Sequence, residues 1–206
     1  MIRALNDALR RVPVPLIWAL GAIPFALLVF DTVTNNLGVD PVQRIEHRLG
    51  RTALYLLVAG LAVTPLLRLT GISLMRFRRA IGVLCFGYAL AHVLAWMVMD
   101  MGLLWGQMGR DIVKRPYLLF GMLSFVAIFA LGITSNNLSI RRVGAGAWRR
   151  LHRLVYPAAL LAGMHWLWAV KVNEIAPLVW ASVIVVLLVL RIAIPRPLGR
   201  AAGRVA

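Results

Sequence analysis

"WRRLHRLVYPAALLAGMHWLW", residues 148–168, is apolar enough over its last eighteen residues to cross a membrane, yet it carries two histidines, His152 and His165, thirteen residues apart. An ionisable ring deep in hydrocarbon is costly, so it calls for a partner or a function. The stretch also decides the fold class. A segment in lipid must satisfy its own backbone hydrogen bonds, and an apolar run of this length does so as a helix.

The rest of the chain has the same character. Its 206 residues are 61% hydrophobic, with a mean hydropathy of +0.83, against about 45–50% apolar content for a soluble domain. Apolar runs, free of charge except for Arg153 at the start of the fifth, cover residues 12–30, 52–67, 80–99, 116–134, 151–170 and 175–190. A crossing helix takes roughly 20 residues, with about 17–25 as the usual range. Four runs meet that length, while the second and sixth are short and rely on flanking arginines that snorkel. The expected fold is all-α: a polytopic six-helix transmembrane bundle, with residues 1–206 as a single domain because the connections are too short for a soluble one. The first run follows Arg3, Arg10 and Arg11 and shows no small-x-small cleavage site, so it reads as a retained signal-anchor helix.

Arginines set the orientation. The N-terminus (Arg3, Arg10, Arg11), the second loop (Arg68, Arg76, Arg78, Arg79), the fourth loop with the start of the fifth run (Arg141, Arg142, Arg149, Arg150, Arg153) and the tail (Arg191, Arg196, Arg200, Arg204) share one side with a single acid, Asp7. The other side holds Asp31, Asp40, Glu46, Asp100, Asp111 and Glu174, balanced by Arg44, Arg48, Arg51, Arg110, Lys114, Arg115 and Lys171. The positive-inside rule then places both termini in the cytoplasm. Topology alone accounts for the net charge of +16, and no nucleic-acid partner is expected, because the bases do not gather on a soluble face or arm.

Orientation gives each histidine a depth. His92 lies thirteen residues into the membrane from Arg79, ~20 Å along a helix rising about 1.5 Å per residue, and His165 lies twelve residues beyond Arg153, ~18 Å along. The two share a depth, in the outer half of the bilayer, on helices running the same way. That is the arrangement two axial ligands of one heme require, and a neutral imidazole carries no charge into the hydrocarbon. The competing reading is a pair of structural histidines bonding across helices. His152 sits at the cytoplasmic boundary, ~20 Å below His165, and about 140° away around the axis. It serves a different level, as a ligand or as a snorkelling, phosphate-facing side chain. His47, in "RIEHRLGR", lies in a charged outer loop and reads as solvated or facing lipid headgroups.

Other signals are weaker. Cys85 is the sole cysteine, so no intrachain disulfide forms, and without C-x-x-C-H any heme is noncovalent. Gly82, Gly87, Ala158, Ala159, Ala162 and Gly163 are small enough to admit a flat ring, or simply to pack helices. Trp105, Trp166 and Trp168 read as an interfacial aromatic belt. No dinucleotide, Walker or H-E-x-x-H pattern is present. The fourth-loop arginines suit a membrane lipid headgroup or a flavin phosphate.

Six runs with His92 on the third and a spaced pair on the fifth resemble the ferric-reductase-like transmembrane domain superfamily. The superfamily pattern has two histidines on each of these helices; here Arg78 stands at the second position on the third. "DPVQRIEHRLGRTALYLL", "VTPLLRL", "RRAIGVLCFGYALAH", "KRPYLLFG" and "WRRLHRLVYPAALLAGMHWLWAVK" narrow the likeness, from Asp40 to Lys171, to the MsrQ family, the heme-binding membrane subunits of the bacterial methionine sulfoxide reductase system. The resemblance implies a multi-pass b-type cytochrome of the bacterial inner membrane, an electron-transfer subunit rather than a catalytic one. It implies heme b and FMN as cofactors. It also implies electrons arriving from the quinone pool or a cytoplasmic flavin reductase and leaving to a periplasmic, molybdopterin-containing MsrP-type partner that reduces methionine sulfoxide in proteins. On this likeness His92 and His165 carry the outer heme, and His152 ligates a second heme or serves the cytoplasmic electron input.

Two other classes remain at this point. A His-relay transporter or proton channel would use the same histidines, although the runs contain no carboxylate and no inverted repeat of broken helices is visible. A metalloreductase would share the heme chemistry and differ in its external acceptor.

Overall fold

The computed structural model describes residues 1–170 and 174–194, so Lys171 and the tail arginines Arg196, Arg200 and Arg204 lie outside the described residues. All regular structure among the described residues is helical: α1 (Ile2–Arg11), α2 (Val14–Val33), α3 (Pro41–Thr70), α4 (Arg78–Ala95), α5 (Trp105–Lys114), α6 (Pro116–Ile133), α7 (Asn137–Val143), α8 (Ala145–Leu151), α9 (Val155–Ala169) and α10 (Ile175–Ala193). A π-helical turn, Trp96–Asp100, extends α4, and a 3-10 turn, His152–Leu154, precedes α9.

Five helices are long and apolar enough to cross a membrane: α2, α3, α4 with its π turn, α6 and α10. Two departures from the apolar runs have local causes. The second run is not short, because α3 continues through its charged ends for 30 residues. Asp40 caps it by accepting from the Gln43 N–H at 3.0 Å, Pro41 occupies its first position, and Gly71 ends it in the left-handed conformation at φ 76°. The fifth run yields only 15 residues of α-helix in α9, ~22 Å long. Pro157 has no N–H to close on the carbonyl of Arg153, and the preceding residues wind into the 3-10 turn instead.

Four helices make the core. α3 packs along α4 and α6 along α9; α4 also meets α6, and α3 meets α9. α3 and α6 thus separate α4 from α9, which face each other across the middle. α10 lies against α9 and α3, and α2 against α4 and α3. Buried polar groups stitch the core: Ser124 Oγ donates to the Ala158 carbonyl at 2.8 Å and the Cys85 thiol to the Ala53 carbonyl at 3.3 Å. The outward faces of α2 and α10 are apolar, with Leu20, Phe30, Val186 and Val189 all more than half exposed. In water such a surface would drive aggregation; in a bilayer it faces lipid.

α2 is tied to α4 through one hydroxyl and to α3 through the ion pair of Asp31 with Arg48. Tyr88 on α4 donates to the Gly21 carbonyl at 2.6 Å and accepts from the Phe25 N–H at 3.0 Å, so the phenol stands inside the i to i+4 ladder of α2 beside Pro24. Gly21 has no side chain to collide with Leu84 at that crossing. Such insertions keep a proline-bearing membrane helix satisfied. At the same end as the arginine-rich loops, α1 docks through Asn6, which donates to the Gly71 carbonyl at 2.9 Å and accepts from the Ser73 N–H at 2.9 Å.

Candidate functional site

The structure brings His92 and His165 together across the middle of the bundle, with ring centroids 6.3 Å apart and planes inclined at 65°. Each imidazole is fixed by a backbone carbonyl of a neighbouring helix. Nδ1 of His92 lies 2.9 Å from the Glu46 carbonyl of α3, and Nδ1 of His165 lies 2.7 Å from the Tyr117 carbonyl of α6. A carbonyl only accepts, so each Nδ1 carries the proton and each Nε2 keeps its lone pair. This is the tautomer, with Nδ1–H on a backbone carbonyl, that metal-ligating histidines use.

The two supports share one local design. In an α-helix the carbonyl of residue i faces residue i+4. The residue four after Glu46 is Gly50, and the residue four after Tyr117 is Gly121. A Cβ at Gly50 would stand 3.2 Å from Cε1 and Nδ1 of His92, and a Cβ at Gly121 would stand 2.7 Å from Nδ1 and 3.0 Å from Cε1 of His165. Each glycine therefore opens the helix surface so that a ring reaches a carbonyl already engaged in the helix ladder. Neither glycine stands out in the sequence; both lie within quoted motifs, "RIEHRLGR" and "KRPYLLFG". The signal that finds them is the spacing of four to the carbonyl, and that carbonyl is visible only in three dimensions.

The surroundings are aromatic and ordered. Tyr117 lies 6.1 Å from the His165 ring. Phe120 stacks on Trp168 at 5.1 Å, and the Arg51 guanidinium sits 5.5 Å from the centre of Trp166. The π turn begins at Trp96, four residues after His92, a widened geometry that recurs at functional sites. A Cβ at Gly82 or Gly87 would meet nothing within 4 Å, whereas Gly163 packs against Ile184 and Ala181 of α10. Ala158 and Ala159 are wholly buried.

His152 stands elsewhere, in the 3-10 turn before α9. Its ring stacks on Trp148 at 3.8 Å, and its Nε2 lies 3.4 Å from Thr134 Oγ1. Trp148 is held in turn by its indole N–H on the Thr134 carbonyl at 2.8 Å. Partial burial, and then the Arg78 guanidinium, push the His152 pKa below its ordinary value. His47 is exposed, and its ring takes no part in the central pair.

Two neutral imidazoles this close, each with its Nδ1 engaged and its Nε2 lone pair left over, have the chemistry to hold one metal. No cluster of three or more His, Cys, Asp or Glu able to hold a metal is present among the described residues. The pair therefore suits a metal whose remaining ligands come from elsewhere, as a porphyrin supplies them.

Comparison with known proteins identifies the family. Residues 49–163 match the family model described as "Ferric reductase like transmembrane component". The chain is similar to the protein-methionine-sulfoxide reductase heme-binding subunit MsrQ of Brucella ovis, Brucella canis and Brucella suis. Each is 42% identical over 180 residues, which cover 87% of this chain and 81% of the relative.

Proposed function

The chain belongs to the MsrQ family of protein-methionine-sulfoxide reductase heme-binding subunits, and from that premise we propose that His92 and His165 are the two axial ligands of one b-type heme. It is a multi-pass protein of the bacterial inner membrane and an electron-transfer subunit, not the catalytic one. The observation that carries the ligand assignment is the pair of imidazoles 6.3 Å apart, each tied through Nδ1 to a main-chain carbonyl.

When bound, the heme supplies one-electron chemistry at its iron. The chain's own residues do the rest. Glu46 and Tyr117 lend carbonyls that orient the ligand rings, Gly50 and Gly121 give those rings room, and the apolar walls of α3, α4, α6 and α9 exclude water. The whole chain then makes six crossings, α9 being the short one, with both termini in the cytoplasm by the distribution of arginines.

On this reading electrons arrive from the quinone pool or a cytoplasmic flavin reductase and leave to a periplasmic, molybdopterin-containing MsrP-type reductase. His152, beside Arg78 at the arginine-rich end, belongs to the input level, as ligand of a second heme or as part of the path from the donor. FMN rests on the family likeness alone, with Arg141, Arg142, Arg149 and Arg150 as the groups for its phosphate.

The test is a dithionite-reduced minus oxidised visible spectrum of the purified protein, with heme counted per chain. A b-type α-band at one heme per chain supports the central site. Two hemes per chain bring in His152. Absence of heme under adequate supply returns the histidines to a proton relay.

A further inference from the structure

A second feature lies away from the histidine pair, on the lipid side of the bundle at its arginine-rich end. A groove of about 680 Å³ runs between α9 and α10 and reaches the end of α3. Leu160, Val185 and Val189 form its apolar walls, and Arg68, Arg191 and Tyr156 stand at its polar end. Both guanidinium groups are built in. Arg68 Nη1 donates to the carbonyls of Arg191 and Ile194, each at 2.7 Å, which caps the open end of α10. The Arg191 guanidinium lies 4.9 Å from the centre of the Tyr156 ring. A guanidinium carries five N–H donors, and the capping of α10 uses two of those on Arg68.

We propose that this groove binds an anionic phospholipid, its phosphate at Arg68 and Arg191 and an acyl chain along Leu160, Val185 and Val189. Three observations favour that occupant. The walls are half-exposed apolar side chains, with Leu160 41%, Val185 49% and Val189 56% accessible, as a bilayer-facing chain requires. The polar end holds two guanidiniums and, among the described residues lining the groove, no carboxylate, so it selects negative charge. Arg68 and Arg191 stand in the last turns of α3 and α10, at the arginine-rich end, and basic pockets between helix ends bind phosphate-bearing lipids. A quinol is disfavoured there. Its oxidation releases two protons, and no carboxylate or imidazole among the described lining residues can accept them. The lipid would join α10 to α9 and α3, and the site does not depend on the heme assignment.

The experiment measures the unfolding midpoint of the full chain, by tryptophan fluorescence, in dodecyl maltoside micelles doped with phosphatidylglycerol or with phosphatidylcholine of the same acyl chains. The proposal expects phosphatidylglycerol to raise the midpoint by several degrees more than phosphatidylcholine. In the double variant Val185→Trp, Val189→Trp, which fills the groove from its exposed wall and touches no arginine, that difference is lost. In Arg191→Gln, which leaves the groove open, both lipids act alike. Equal shifts in the wild type overturn the site. A difference that survives in both variants also overturns it, because the lipid then acts at the loop arginines. A midpoint rise of the same size with inorganic phosphate alone, or with ubiquinone in place of phosphatidylglycerol, overturns it in favour of a free-anion or quinone site.

Discussion

Gly121 faces His165 so closely that a Cβ on residue 121 would stand 2.7 Å from the ring's Nδ1. The ring occupies that space because its N–H bonds the carbonyl of Tyr117, one turn earlier on the same helix. Gly121→Ala is therefore expected to push His165 off its carbonyl and lower heme content severalfold. Gly50→Ala, with its closest approach to the His92 ring at 3.2 Å, is expected to do less. Heme per chain and the position of the α-band are the measurements. Unchanged values in Gly121→Ala would show that the close approach does not set the ligand.

Glu46→Gln and Tyr117→Phe provide the contrast. Both change a side chain and leave the carbonyl that holds a histidine. The expected outcome is retention of the wild-type α-band in each. A lost or shifted band in either variant would mean that the side chain, not the main chain, positions the ligand.

His165→Ala and His92→Ala should each remove the central heme, since one axial ligand does not hold a noncovalent porphyrin in a bundle with no other metal cluster among its described residues. His152→Ala should retain that heme, because its ring contacts Trp148 and Thr134 and not the central pair. Reduction from the cytoplasmic side, followed by stopped-flow absorbance, should slow in His152→Ala. Normal rates would leave His152 with a packing role only.

Tyr88→Phe removes the hydroxyl that bridges Gly21 and Phe25. Two main-chain groups of α2 lose a partner where no water replaces it, at a cost of about 1–3 kcal/mol. The expected result is a lower unfolding midpoint with heme content unchanged, read by fluorescence and absorbance on the same sample.

Orientation is open to direct labelling. Cys85 is buried, so single cysteines introduced at exposed positions report without background. A cysteine at Met1 should resist a membrane-impermeant maleimide in intact cells, and one at Trp105 should react. The reverse pattern would invert the topology.

Much of the fold was legible because lipid imposes a simple rule: every apolar run of sufficient length becomes a helix. The rule reads charge as an end, though, and α3 shows why that fails. Its helix begins at Pro41 and ends at Thr70, through Arg44, Glu46, Arg48 and Arg51, because capping at Asp40 and Gly71 ends a helix where polarity does not. The amphipathic α5 escaped for the opposite reason, being too charged to register as a span and short enough to pass for a loop. At the site, depth counting alone placed His92 and His165 at one level. Gly50 and Gly121 stayed hidden because what they accommodate comes from another helix, and no local pattern encodes that meeting. Of the small residues that did draw attention, Ala158 and Ala159 are wholly buried and Gly163 packs against α10, whereas Gly82 and Gly87 have no neighbour within reach of a Cβ.

The acceptors that hold the two imidazoles belong to the main chain, and every residue type supplies one. Positions 46 and 117 can therefore drift without loosening a ligand, provided the helix persists. The vulnerable positions are 50 and 121, where a single added methyl group occupies the space of a ring. In this protein, sequence tolerance around the histidine pair should follow the crowding of a helix surface and not the chemistry of the residues that touch the two rings.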